Sequence, residues 1–119
     1  MATMKLFDSE LKLMEIIWDK EPISAKEISR IAAEIIGWNK NTTNTVIKKL
    51  IDKKAVLRTE PDFICTSLIK KENIQSSETR NLIDKLYNGS KKKFFAAFLE
   101  KENLTEDEIA EIRSMIEKM

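Results

Sequence analysis

Between Trp38 and Leu50 the chain reads WNKNTTNTVIKKL, a stretch crowded with carboxamides, hydroxyls and ammonium groups and holding no carboxylate. At 100° per helical residue, Thr43, Val46, Ile47 and Leu50 fall on one side, and Asn41, Asn44, Thr45 and Lys48 on the other. The first group has the character of a core-facing stripe. The second offers groups that donate and accept hydrogen bonds but do not readily attack or abstract. Such a surface suits recognition of a polar partner.

Covalent catalysis finds little support elsewhere. The chain has no histidine, which removes Ser–His and Cys–His catalysis and the commonest zinc ligand. No Gly-rich phosphate loop accompanies its carboxylates. We expect no enzyme and no cofactor or metal. The single cysteine, Cys65, excludes an intrachain disulfide. On an apolar strand it reads as a small buried residue rather than a redox sensor.

Total charge is nearly balanced, 21 basic against 20 acidic residues, but its distribution is not. From Leu6 to Glu34 there are 4 bases and 7 acids, and from Leu99 onward 3 and 7. Trp38 to Arg58 holds 6 bases and one acid, Asp52. An internal cationic segment with acidic flanks suggests a surface that faces phosphates. No apolar run approaches the ~18–20 residues that cross a bilayer, and MATMKLFDSE lacks the plan of a signal peptide. The expected location is cytoplasmic, with no membrane insertion.

The elements that must position these groups follow from periodicity. Four or five helices and one hairpin account for nearly the whole chain. Asp8 is placed to cap a first helix through Leu11, Met14, Ile17 and Trp18, which Pro22 ends. Ser24 with Glu27 forms a capping box for a second, with Ile28, Ile31, Ala32 and Ile35 on one side and Gly37 as its stop. Asn39 or Asn41 caps the third, at about 39–54. Two β-prone runs, Ala55–Arg58 and Phe63–Thr66, flank Glu60-Pro61-Asp62, a turn whose proline presets φ. Three helices and then a hairpin is the order of a winged helix-turn-helix. The fold class is therefore mostly α with a short β-hairpin. Its winged-helix domain is expected at 1–70 and a helical region at 71–119.

In that context the helix that carries the acid-free Trp38–Leu50 stretch reads DNA. Asparagine makes a bidentate contact with adenine, and threonine hydrogen-bonds a base or packs on the thymine methyl. The base-reading set is Asn41, Thr42, Asn44, Thr45 and Lys48. Lys40, Lys49, Lys53, Lys54 and Arg58 are placed to reach phosphates. Trp18 and Trp38 read as packing and as a brace for the turn rather than as stacking platforms. Lys91-Lys92-Lys93 reads as a solvated rim.

The last 49 residues are too few for a sizeable core of their own, yet carry Leu82, Leu86, Tyr87, Phe94, Phe95, Phe98, Leu99, Ile109, Ile112 and Ile116. A second copy would bury them, so these residues are expected to form a homodimer core rather than an effector pocket.

The order LKLMEIIW, SAKEISRIAAEI, WNKNTTNTVIKKLIDKKA and FFAAFLEKENLTEDEIAEIRSMI resembles the penicillinase-repressor (BlaI/MecI-type) family of winged-helix regulators over most of the chain. The resemblance implies a homodimer on a dyad-symmetric double-stranded DNA operator, one recognition helix per half-site. It also implies a membrane sensor protease as partner, cutting in the dimerisation region at the bond that falls here at Ala97-Phe98. Three departures stand out. Asn41 and Asn44 occupy positions where the family carries basic residues, the wing tip is acidic with Glu60 and Asp62, and Ala97 replaces the family's asparagine at the cleavage bond. An alternative is a winged-helix protein-interaction module with weak or no sequence-specific DNA binding.

Overall fold

The computed structural model describes residues 4–119. Among them lie six helices and three strands, in the order α1 (Asp8–Lys20), β1 (Ile23–Ser24), α2 (Ala25–Ile35), α3 (Lys40–Asp52), β2 (Val56–Thr59), β3 (Ile64–Ser67), α4 (Lys71–Leu86), α5 (Lys91–Lys101) and α6 (Glu106–Glu117). The chain divides into two compact units, one reaching Ser77 and the other running from Glu78 to Met119. Among the described residues no helix is long and apolar enough to cross a membrane.

The first unit is a winged helix-turn-helix. Leu13, Met14 and Ile17 from α1, Ile28 and Ala32 from α2, and Val46, Ile47 and Leu50 from α3 are buried together. Burial of each large aliphatic side chain contributes about 1.5–3 kcal/mol. Thr43 is buried within the same α3 stripe, its hydroxyl donating to the Asn39 carbonyl at 3.2 Å. Ile35, expected on the buried side of α2, is exposed at the last residue of that helix.

The sheet has one strand more than the hairpin expected from sequence. β2 pairs with β3 from Val56↔Ser67 to Thr59↔Ile64, and β3 pairs on its other edge with β1 through Ile23↔Cys65 and Ser24↔Ile64. All pairings are antiparallel, in the order β1-β3-β2. Glu21 pins the end of β3 by accepting from the Ser67 amide at 2.8 Å and from its hydroxyl at 2.9 Å.

Helix starts follow capping chemistry, with two corrections. Asp8 is the first residue of α1 rather than its cap; Phe7 takes the cap position, and its amide donates to Glu10 Oε1 at 2.8 Å. Asp8 instead places a carboxylate in the first turn, where the helix dipole favours it. At α2 only half the expected box closes. The Glu27 amide donates to Ser24 Oγ at 3.1 Å, while its carboxylate turns to Arg30. The Thr105–Glu108 box of α6 closes in both directions.

The second unit is helical. Gly89, at φ +79°, and Asn88, at φ +51°, turn the chain out of α4, with the Tyr87 and Gly89 amides both on the Ile83 carbonyl. Ile83 is buried. Phe94 meets Tyr87 and Phe95 edge-to-face at 5.5 and 5.4 Å and stacks on Phe98 at 6.2 Å. Leu82, Leu86, Phe95, Phe98, Leu99, Ile109 and Ile116 stay exposed, and Tyr87, Phe94 and Ile112 are half-buried.

Candidate nucleic-acid interface

The geometry of α3 begins just before it. Gly37 closes α2 at φ +85°, a backbone conformation that side chains disfavour, with the Ile36 and Gly37 amides both on the Ala32 carbonyl at 2.9 Å. Asn39 then caps α3, its Oδ1 accepting from the Thr42 amide at 2.8 Å. Of the two asparagines open as caps from sequence, the structure uses the first. That leaves Asn41 on the helix body.

Asn41, Thr42, Asn44, Thr45 and Lys48 are all exposed, so α3 presents the whole expected base-reading set to solvent and turns its apolar stripe inward. The Thr45 hydroxyl donates back to the Asn41 carbonyl at 2.9 Å, which fixes its rotamer.

The five expected phosphate-facing residues divide. Lys40, Lys49 and Lys54 are exposed, and among the described residues none has an ion-pair partner. Lys53 is drawn the other way. Its Nζ sits 2.6 Å from Glu10 Oε1 and 3.0 Å from the Lys5 carbonyl, 4.5 Å above the Phe7 ring. Arg58 is held within the wing, its Nε donating to Glu60 Oε1 at 2.6 Å and its guanidinium 3.8 Å from the Phe63 ring centre.

A groove of about 980 Å³ runs along α3, between it and α2, with the sheet at one end. Asn44 and Lys48 line it beside Lys26, Ser29 and Arg30 of α2, with Trp38 between the helices and Arg58 and Phe63 from the wing. This contribution of α2 is absent from the expectations drawn from sequence. Its signal is the Ser24–Glu27 cap, because in a helix-turn-helix the helix before the recognition helix crosses the DNA backbone. Arg30 is tied down: Glu27 and Glu34 hold its guanidinium, which raises its pKa, while the same hydrogen bond lowers that of the Glu27 carboxyl.

Other candidates resolve simply. Trp18 and Trp38 pack against the core, and the Trp18 indole donates to the Ile69 carbonyl at 3.0 Å. Cys65 is fully buried, and that burial pushes its thiol pKa up despite the opposing charge of Arg58. Among the described residues no cluster of potential ligands could hold a metal. Ala97 and Phe98 lie within α5, the first half-buried and the second exposed.

A recognition-type helix on a winged-helix scaffold defines a DNA-binding class of protein. Comparison with known proteins narrows it. The family model "Penicillinase repressor" matches residues 6–118. The methicillin resistance regulatory protein MecI of Staphylococcus aureus (strain N315) is 31% identical over 118 residues, covering 98% of this chain and 96% of the relative. The penicillinase repressor of Bacillus licheniformis is 25% identical over 116 residues, covering 96% and 91%. Among solved structures, the DNA-binding domain of the repressor BlaI aligns with TM-score 0.54 and 25% identity, over 58% of this chain and 87% of that one. Staphylococcus aureus MarR, in complex with salicylate and kanamycin, shares the fold at TM-score 0.56 and 17% identity, over 95% and 70%. The chain belongs to the penicillinase repressor family, whose members are transcriptional repressors and not enzymes.

Proposed function

We propose that this protein is a homodimeric repressor that occupies a dyad-symmetric operator, with α3 in the major groove of each half-site. The observation that carries the reading is the exposed face of α3, with Asn41, Asn44, Thr45 and Lys48 aligned outward on a helix whose other side is buried and whose one acid, Asp52, stands at its last residue. Lys40, Lys49 and Lys54 supply phosphate contacts, joined by Lys26 of α2. The second unit supports self-association, since its exposed leucines, isoleucines and phenylalanines have too little chain around them to bury. Repression then follows from occupancy, by blocking access to a promoter.

Release by a membrane sensor protease is not part of this proposal. The Ala97-Phe98 bond sits inside α5, so a protease would first have to unwind that helix, and the residue before the bond is not the family's asparagine.

A protein-interaction module is the second reading. The observation in its favour is the engagement of Lys53 by Glu10 and of Arg58 by Glu60, which subtracts two cations from the phosphate-facing set.

The test is selection from fragmented genomic DNA by the purified protein at moderate salt. Enrichment of a dyad with half-sites about one helical turn apart supports the repressor. Equal low-salt retention of all fragments, with nothing enriched, removes it in favour of the interaction module.

A further inference from the structure

This inference rests on the repressor reading above and specifies which bases α3 reads. Sequence-specific contacts in the major groove depend on which donors and acceptors a side chain still has to offer, and here the structure restricts them. The Thr45 hydroxyl spends its only proton on the Asn41 carbonyl at 2.9 Å. While that bond is kept, the hydroxyl does not donate to the O6 or N7 of guanine or the O4 of thymine. What it presents outward is a rotamer-locked methyl and unused lone pairs. Asn41 and Asn44 are exposed, each carrying the paired donor and acceptor that match N7 and N6 of adenine.

Guanine is ordinarily read by an arginine fork. The two arginines that line the α3 groove are both engaged, Arg30 by Glu27 and Glu34 and Arg58 by Glu60. In the base-reading set Lys48 is the one cation suited to guanine, although the Thr42 hydroxyl and the asparagine amides also carry donors. We infer that each recognition helix reads an A·T core, with Asn41 and Asn44 on two adenines and the Thr45 methyl on the 5-methyl of a thymine. Lys48 is left as the one cationic side chain of the set that can read guanine.

The experiment uses the full chain and the operator enriched from genomic DNA, resynthesised with one base analogue at a time. Replacing a contacted adenine by 7-deazaadenine removes the N7 acceptor without disturbing pairing, and is expected to weaken binding roughly five- to hundredfold. Replacing the contacted thymine by deoxyuridine removes one methyl and is expected to weaken it about fourfold.

Two protein variants separate methyl from hydroxyl. Thr45→Val is expected to keep the thymine-over-uracil preference, and Thr45→Ser to abolish it. Asn44→Ala is expected to erase the response to 7-deazaadenine at one adenine and spare it at the other.

The inference is overturned if Thr45→Ser keeps the preference and Thr45→Val loses it, since the hydroxyl would then be the reader. It is equally overturned by a well-enriched operator indifferent to both analogues, an outcome that leaves the repressor reading standing. If no sequence is enriched, both fall together.

Discussion

Lys53 Nζ lies 2.6 Å from Glu10 Oε1, joining the end of α3 to the first turn of α1 across 43 residues of sequence. Glu10 is almost fully buried, Lys53 about one-third exposed, and Glu10 Oε2 has no hydrogen-bond partner. A buried carboxylate loses its hydration and depends on its cation. Lys53→Met is therefore expected to destabilise the fold by about 3 kcal/mol or more in urea unfolding. Adding Glu10→Leu should restore most of the loss, because both charges are then gone. Because the Lys53 charge faces inward, the salt dependence of DNA binding should keep its slope in Lys53→Met.

Lys49 and Lys40 are expected to behave oppositely. Neutralising either to glutamine should leave stability within about 0.5 kcal/mol. The slope of log K against log salt should become shallower by about 0.9 for each phosphate that is no longer neutralised. An unchanged slope in both variants would remove these lysines from the interface.

The wing gives a test in the direction of gain. Arg58 is occupied by Glu60 and rests on Phe63. Glu60→Gln removes a carboxylate near the expected phosphate path and leaves the guanidinium a weaker partner. Operator binding is expected to tighten several-fold in low salt, with a slope steeper by about 0.9. No gain would mean the wing stays off the DNA.

Association through the second unit is tested at Phe95, which is 56% exposed and packs one ring edge-to-face on Phe94. Phe95→Glu should leave helix content intact, since the position faces solvent in a single chain. It should shift the sedimentation coefficient to that of a monomer and weaken operator binding sharply. A dimer of unchanged stability would place the interface elsewhere.

Cys65 supplies a pH test. Burial raises its pKa in the folded state, so the thiol keeps its proton there above the ~8.5 at which an unfolded thiol loses it. In that window the unfolded state binds fewer protons, and stability must fall as pH rises. The urea midpoint is expected to decline from pH 8 towards pH 10 in the native protein and to decline less in Cys65→Ala. At pH 8, thiol reagents should react only as fast as the fold opens.

The parts of this architecture visible in the sequence are those set by local periodicity and capping. The α3 stripe of Thr43, Val46, Ile47 and Leu50 repeats at helical spacing, so its burial follows from the pattern. Gly37 and Thr105 mark helix boundaries by their own backbone chemistry. The strand β1 is invisible because two residues carry no alternation, and only its partner β3, far along the chain, makes Ile23 and Ser24 a strand. Long-range ion pairs are hidden for the same reason. Lys53 reads as one of six bases in a cationic run, and nothing near it in sequence announces Glu10. Sequence alone therefore does not show that Lys53 and Arg58 have partners within the chain, and it passes over Lys26 and Ser29 as lining of the α3 groove, on a helix legible only by its cap and apolar side.

Ser24 does two jobs at once, as a strand residue paired with Ile64 and as the cap of α2, and the next amide, Ala25, donates to the Phe63 carbonyl at 2.9 Å. In mechanical terms the hairpin is bolted to the first turn of α2. It cannot swing aside as a free flap without breaking the β1–β3 pairing and the Ala25–Phe63 bond.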